Sequence, residues 1–155
     1  MPGEKSPTTT TGRILNAWQV PLFQIRPPRD YGVLTTTGRK TGKRRTRCVR
    51  VVRRGNVAYL VAIKGAGTGW AKNALANPEV KLRMRGGRFT GRAREVRPEE
   101  HAAAKEAYSA NVGLFERGEW RIWRSGRFST EGSRDLHREW FETGTPIAID
   151  LETPA

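Results

Sequence analysis

A chain of 155 residues, 36% of them hydrophobic, is sized for one domain with a packed core and is short for two. No apolar run approaches the ~18 residues of a membrane span, and the single cysteine, Cys48, excludes an internal disulfide and a thiolate metal cluster within the chain. The formal net charge of +14 makes an anion the expected partner. That charge is concentrated. Residues 26–97 carry 20 Lys and Arg against only Asp30, Glu79 and Glu95, whereas residues 98–155 carry seven against eleven acids. His101 and His137 stand apart from any second ligand at metal-binding spacing, so no metal is expected. The first ten residues lack the apolar core of a secretory signal, which makes the cytoplasm the expected compartment.

Residues 1–12, rich in Pro, Thr and Gly, read as a flexible segment, and residues 13–155 as a single domain. Ile14, Leu15, Trp18 and Phe23 are spaced for a short amphipathic helix that ends before Pro27-Pro28. It either packs on the domain or, with Arg13 beside its apolar members, lies at the inner face of a membrane; residues 13–26 are the segment concerned. Tyr31 to Thr37 and Arg47 to Arg53 read as strands on either side of a basic turn. Arg54-Gly55-Asn56 turns into Val57 to Ile63, a nearly wholly apolar run suited to a strand buried on both faces. Trp70 to Ala76 suits a short helix stopped by Asn77-Pro78.

Val80, Leu82 and Met84 alternate with Lys81, Arg83 and Arg85, the pattern of a half-buried antiparallel strand, and Gly86-Gly87 turns the chain into a partner from Phe89 to Val96. Pro98-Glu99-Glu100 opens a helix expected to end near Gly113. Ser133 is placed to cap a helix running to Glu142, and Pro146 to Leu151 reads as a closing edge strand. About six strands joined largely by hairpins, with a few short helices, predict an α+β fold: a mostly antiparallel small barrel with helices packed around it.

Leu34 to Arg47 is the most informative segment. Gly38 and Gly42 allow backbone N–H groups to converge on an anion, and Arg39, Lys40, Lys43, Arg44, Arg45 and Arg47 add side-chain donors around them. The Gly-x-x-x-Gly spacing is not that of the nucleotide triphosphatase phosphate loop. A solvated basic hairpin turn is the competing reading. Cys48 reads either as a small buried hydrophobe or as a thiol whose pKa neighbouring cations lower.

Three separated stretches, Leu34-Thr35-Thr36-Thr37-Gly38-Arg39-Lys40-Thr41-Gly42, Tyr59-Leu60-Val61-Ala62-Ile63-Lys64-Gly65 and Trp70-Ala71-Lys72-Asn73-Ala74-Leu75-Ala76-Asn77-Pro78-Glu79-Val80, together resemble the deazaflavin-dependent nitroreductase and quinone reductase family over about residues 13–112. The resemblance implies a split β-barrel like those of the FMN-binding split-barrel folds. It also implies coenzyme F-420, a deazaflavin with a phosphodiester and an oligoglutamate tail, as hydride donor. By the same resemblance, Arg39, Lys40 and Arg45, with Thr41 and Arg47 beside them, hold phosphate and tail. Lys64 and Gly65 join them from the following strand, Trp70 and Asn73 wall the site, and Cys48, Ala62 and Ile63 lie beside the ring. The implied acceptor is a small electron-poor molecule: a quinone, a nitroaromatic compound or an enone.

Trp120, Trp123, Phe128, Trp140 and Phe141 are candidates either for an acceptor pocket or for ordinary packing. The chain lacks the family's tyrosines along Ser133 to Trp140 and has Ile63 where a serine is usual, which leaves His137 as the candidate catalytic proton donor, unless it is a solvated surface histidine. The loop at residues 65–70 is short for the family, and Arg117 to Arg127 looks like an inserted lid. A homodimer is a further expectation. Two rivals remain open: an FMN-binding split-barrel oxidoreductase, and a basic nucleic-acid-binding protein, although no sequence-specific nucleic-acid motif is present.

Overall fold

The computed structural model of the chain describes residues 20–65, 67–111, 127 and 129–154. The flexible segment at 1–12, the helix positions Ile14, Leu15 and Trp18, and the lid reading, with Trp120, Trp123 and Phe128, lie outside these residues, Arg127 excepted.

Seven strands form one antiparallel sheet: β1 (Tyr31–Thr37), β2 (Arg44–Arg50), β3 (Val52–Arg54), β4 (Val57–Ala62), β5 (Glu79–Met84), β6 (Gly87–Glu95) and β7 (Thr145–Pro154). Their order is β2-β1-β5-β6-β7-β4-β3. The single strand expected over 47–53 is therefore two. Arg50 pairs with Tyr31 on one edge of the sheet, and Val52 pairs with Tyr59 on the other. The two edges are thus contiguous in the chain, and the sheet curls until they meet at Val51. There the Val51 N–H donates to the Asp30 carbonyl at 2.9 Å, with Asp30 in the left-handed region at φ 61°, a conformation Asp tolerates better than most residues. Because a bent chain closes the barrel where a ladder of hydrogen bonds is missing, the barrel is split.

β4 is buried on both faces, as its composition predicts. Ala58 and Leu60 join Leu34, Leu82, Met84, Ile147 and Ile149 inside the barrel; Tyr59 and Val61 face outward onto a second cluster with Tyr108, Leu136, Trp140 and Phe141. β5 alternates as expected, with Val80, Leu82 and Met84 inward. Its neighbour β1 comes so close that a Cβ on Gly32 would lie 2.3 Å from the Arg83 carbonyl oxygen. The closing strand is not an edge: β7 lies between β6 and β4. Pro146 is tolerated because pairing with β6 begins only at Ile147, so its missing N–H leaves a gap at the strand's start, and Ile147, Ala148 and Ile149 are fully buried.

Among the described residues, α1 (Gly69–Ala76), α2 (His101–Ser109), which follows a 3-10 turn at Pro98–Glu100, and α3 (Thr130–Thr143) pack on this sheet. The cap of α3 is Ser129, whose Oγ accepts from the Gly132 N–H at 2.9 Å, while Ser133 is buried in the interior. α2 stops at Ser109, short of Gly113, where the Ser109 hydroxyl donates back to the Lys105 carbonyl at 2.9 Å. Residues 20–25 are helical and pack on the domain through Phe23, edge-on to the Tyr31 ring at 6.3 Å. Arg83 latches this turn by donating to the Gln24 and Ile25 carbonyls at 3.1 and 3.2 Å.

An ionic knot ties β6, β7 and the 3-10 turn. Arg94 is hydrogen-bonded to Glu100 and, through Nε, to Asp150 at 2.8 Å; Glu100 also accepts from the Tyr59 hydroxyl at 3.2 Å and the Arg97 N–H at 2.8 Å. The Arg94 hydrogen bond is the main reason that the Glu100 carboxyl is held at about 2, against an ordinary 4.5. A depressed folded-state pKa stabilises the fold fully above about 4.5, and that contribution is lost as pH falls through about 2. Thermal melts across this window should therefore show a falling acid limb in the wild type. Glu100→Gln should lower the neutral-pH melting temperature and flatten that limb.

Candidate functional site

The β1–β2 register brings Thr37 opposite Arg44 and leaves residues 38–43 as the connecting turn. Within it the Gly38 N–H donates to the Lys43 carbonyl at 2.7 Å and the Gly42 N–H to the Gly38 carbonyl at 2.8 Å. Both glycine amides are thereby used to close the turn, so neither is itself free to meet an anion. The glycines are required for a different reason. Gly42 has φ 68°, and a Cβ on Gly38 would sit 2.9 Å from Thr41 Oγ1. The cationic side chains of the turn lie around the same bend.

Those side chains surround a cleft of about 260 Å³ lined by Gly38, Arg39, Lys40, Thr41, Arg45 and Asn73. Among the described residues, α1 supplies the wall that is not part of the hairpin. Ala71 and Ala74 seat that helix on the barrel, and Asn73 reaches the turn, its Oδ1 accepting from the Arg39 backbone N–H at 3.2 Å and from Arg39 Nη1 at 2.9 Å. Asn77, expected only as a helix stop, also ties α1 to the hairpin: its Nδ2 donates to the Thr37 carbonyl at 3.4 Å. No feature of the sequence distinguishes that contact from an ordinary Asn-Pro terminus. Among the described residues three cations and no acid line the cleft, a donor set suited to phosphate and carboxylate oxygens. A second cleft of about 360 Å³, along Thr35 to Thr37 and β5–β6, has Arg44 and Lys81 offset by Glu79 and Glu152, and so lacks the unbalanced charge a polyanion needs.

Of the expected site residues, Arg39, Lys40, Thr41, Arg45 and Asn73 come together. Arg47 is exposed on the same face of edge strand β2 as Arg45. Lys64 and Gly65 occupy the turn from β4 towards α1, Gly65 at φ 88° with its N–H on the Ala62 carbonyl at 2.9 Å, and Trp70 packs against the barrel core; none of the three lines the cleft. Ala62 is fully buried, and Ile63 packs with the outer cluster.

Of the remaining two, Cys48 follows its buried-hydrophobe reading and His137 is corrected. Strand alternation puts Cys48 on the opposite face of β2 from Arg45, beside Phe23, Tyr31 and Val33. Burial pushes its thiol up to about 11 despite the lowering effect of Arg47, so it stays protonated at neutral pH. His137 is neither solvated nor at the cleft. It is fully buried, with the Tyr108 and Trp140 rings at 5.9 and 5.3 Å, so the proton-donor reading gains no geometric support. Trp140 and Phe141 are core residues of the outer cluster.

The described residues thus form a split antiparallel barrel whose first hairpin carries a cationic cleft suited to anionic oxygens. Residues 10–117 match the F420H(2)-dependent quinone reductase family, and the chain belongs to that family. F420H(2)-dependent quinone reductases from two strains of Mycobacterium tuberculosis are each 37% identical over 71 residues, 44% of this chain and 48% of the relative. The chain thus spans about half the length of the curated relatives it matches. Among solved structures, an F420-H2-dependent reductase (FDR-A) superposes with a TM-score of 0.51 at 23% identity, covering 80% of this chain and 95% of that one. A chain described as a domain-swapped dimer superposes with a TM-score of 0.53, also at 23% identity, covering 95% and 100%. These likenesses show the split-barrel fold. Among the described residues no helix is long and apolar enough to cross a membrane.

Proposed function

We propose that the chain is an oxidoreductase that binds the reduced deazaflavin coenzyme F-420 and passes its hydride to a quinone-type acceptor. The observation that carries this reading is the turn cleft, in which Arg39, Lys40 and Arg45 meet with Asn73 and, among the described residues, no acid. Arg39 and Arg45 offer forked donors to phosphate and carboxylate oxygens, and Lys40 offers a point charge. When bound, the reduced coenzyme supplies two electrons and a proton as hydride. The chain's task is to anchor the anionic portion firmly, so that the reactive ring is held in one orientation.

Fluorescence titration with the oxidised coenzyme tests binding, and turnover of the reduced form against quinones, a nitroaromatic compound and an enone tests acceptor class. Saturable binding with quinone turnover is expected. Purification as a yellow protein carrying FMN, or a sequence-specific nucleic-acid complex that survives physiological salt, would overturn it.

Two finer features belong to the same proposal. Leu22 and Ile25 are 63% and 78% exposed on the helical turn that Arg83 latches, beside the exposed Arg26 and Arg29. That pairing of apolar and cationic groups suits an anionic membrane surface. Co-sedimentation with anionic but not neutral vesicles is expected, and Leu22→Ser/Ile25→Ser should abolish it. A homodimer is supported by the dimeric neighbour alone, and light scattering of the purified chain tests it.

A further inference from the structure

Asn73 is 9% exposed and is held by a helix that is anchored to the barrel. The two groups facing its Oδ1 are the Arg39 backbone N–H and Arg39 Nη1. Both can only donate, so the atom between them must be the amide oxygen, and Arg39 occupies both of its lone pairs. Among the described residues, Asn73 is the only hydrogen-bond partner of the Arg39 side chain, which is otherwise exposed at the tip of the turn.

An unrestrained arginine gives up considerable rotamer freedom when it docks on an anion, whereas one already held in place gives up less. We propose that Asn73 is a positioning residue: it acts on the anionic ligand through Arg39, fixing the fork at the cleft before the ligand arrives. The inference rests on the assignment of the turn cleft as the coenzyme's anion site. Asn73 carries no charge, yet its loss should alter the electrostatics of binding, because it leaves the number of cations unchanged while releasing one of them from the cleft.

The test is a titration of Arg39→Ala, Asn73→Ala and the double variant with oxidised coenzyme at several salt concentrations, with thermal melts as the folding control. Each single variant should raise Kd about tenfold, the scale of one charge-assisted hydrogen bond, and the double variant should be no weaker than Arg39→Ala. The salt dependence of Kd should also decrease in Asn73→Ala, in the same direction as in Arg39→Ala; a neutral contact made directly to the ligand would not move it. Arg39→Lys, on an exposed residue, keeps the charge but loses the fork and should match Asn73→Ala, which covers the case in which the latter folds poorly. Losses that multiply to about a hundredfold, an unchanged salt dependence, or wild-type binding by Asn73→Ala or Arg39→Lys would overturn the positioning role. If Arg39→Ala and Lys40→Ala both leave Kd unchanged, it is the anion site itself that has been misassigned.

Discussion

Lys40→Ala and Arg45→Ala are each expected to weaken binding of the oxidised coenzyme by about 1 to 3 kcal/mol, with the double variant losing most measurable affinity. Both side chains line the cleft and both are exposed, so neither is needed to hold the fold. Melting temperatures should therefore stay close to wild type. Isothermal titration or fluorescence quenching measures the loss, and affinity preserved in the double variant would remove the turn from the binding site. The loss should also shrink at high salt, because part of what each cation contributes is long-range attraction, which salt screens.

Phe141→Ala should destabilise the fold by about 3 to 5 kcal/mol, the upper range for truncating a core side chain. Phe141 is fully buried, with the His101 ring at 5.0 Å and the Tyr108 ring at 5.8 Å. It lies where α3 meets α2 and the outer face of β4. Its removal leaves a cavity between rigid elements that cannot collapse into it. For a domain of this size each kcal/mol corresponds to roughly 2 to 4 °C, so a drop on the order of 10 °C in a melting scan is expected. Below that transition, coenzyme affinity should be nearly unchanged, since the outer cluster and the turn cleft share no residue. A large loss of affinity at a temperature where the variant is still folded would show that the two regions are coupled.

The split between what could be read and what could not follows the range of the interactions involved. Val57 to Ala62 and Val80 to Met84 announce themselves because burial on both faces, or on one, writes a period directly into the chain. The basic hairpin is equally local: Gly42 is needed for its positive φ, and the cations follow it within a few residues. The use of the glycine amides was not legible, because an N–H that closes a turn and one that faces a ligand look the same in sequence. The burial of His137 is hidden for a related reason: titratable side chains are usually exposed, and only the packing of α3 on α2 shows which way it points, whereas Cys48 packs as its reading as a small hydrophobe expects. The α3 cap moved from Ser133 to Ser129 because both serines are compatible with a helix start and only one lies at it.

The amino-acid sequence by itself determined the strand alternation, the basic turn and its cationic character, since these depend on residues a few positions apart, and it carried the motifs that mark the family. Only the tertiary structure decided that the segment around Val51 bends from one sheet edge to the other, that β7 is interior, and that Asn73, 34 residues beyond Arg39, meets it at the cleft. Those outcomes depend on which distant surfaces come into contact, and a contact between remote residues leaves no period or spacing in the chain to reveal it.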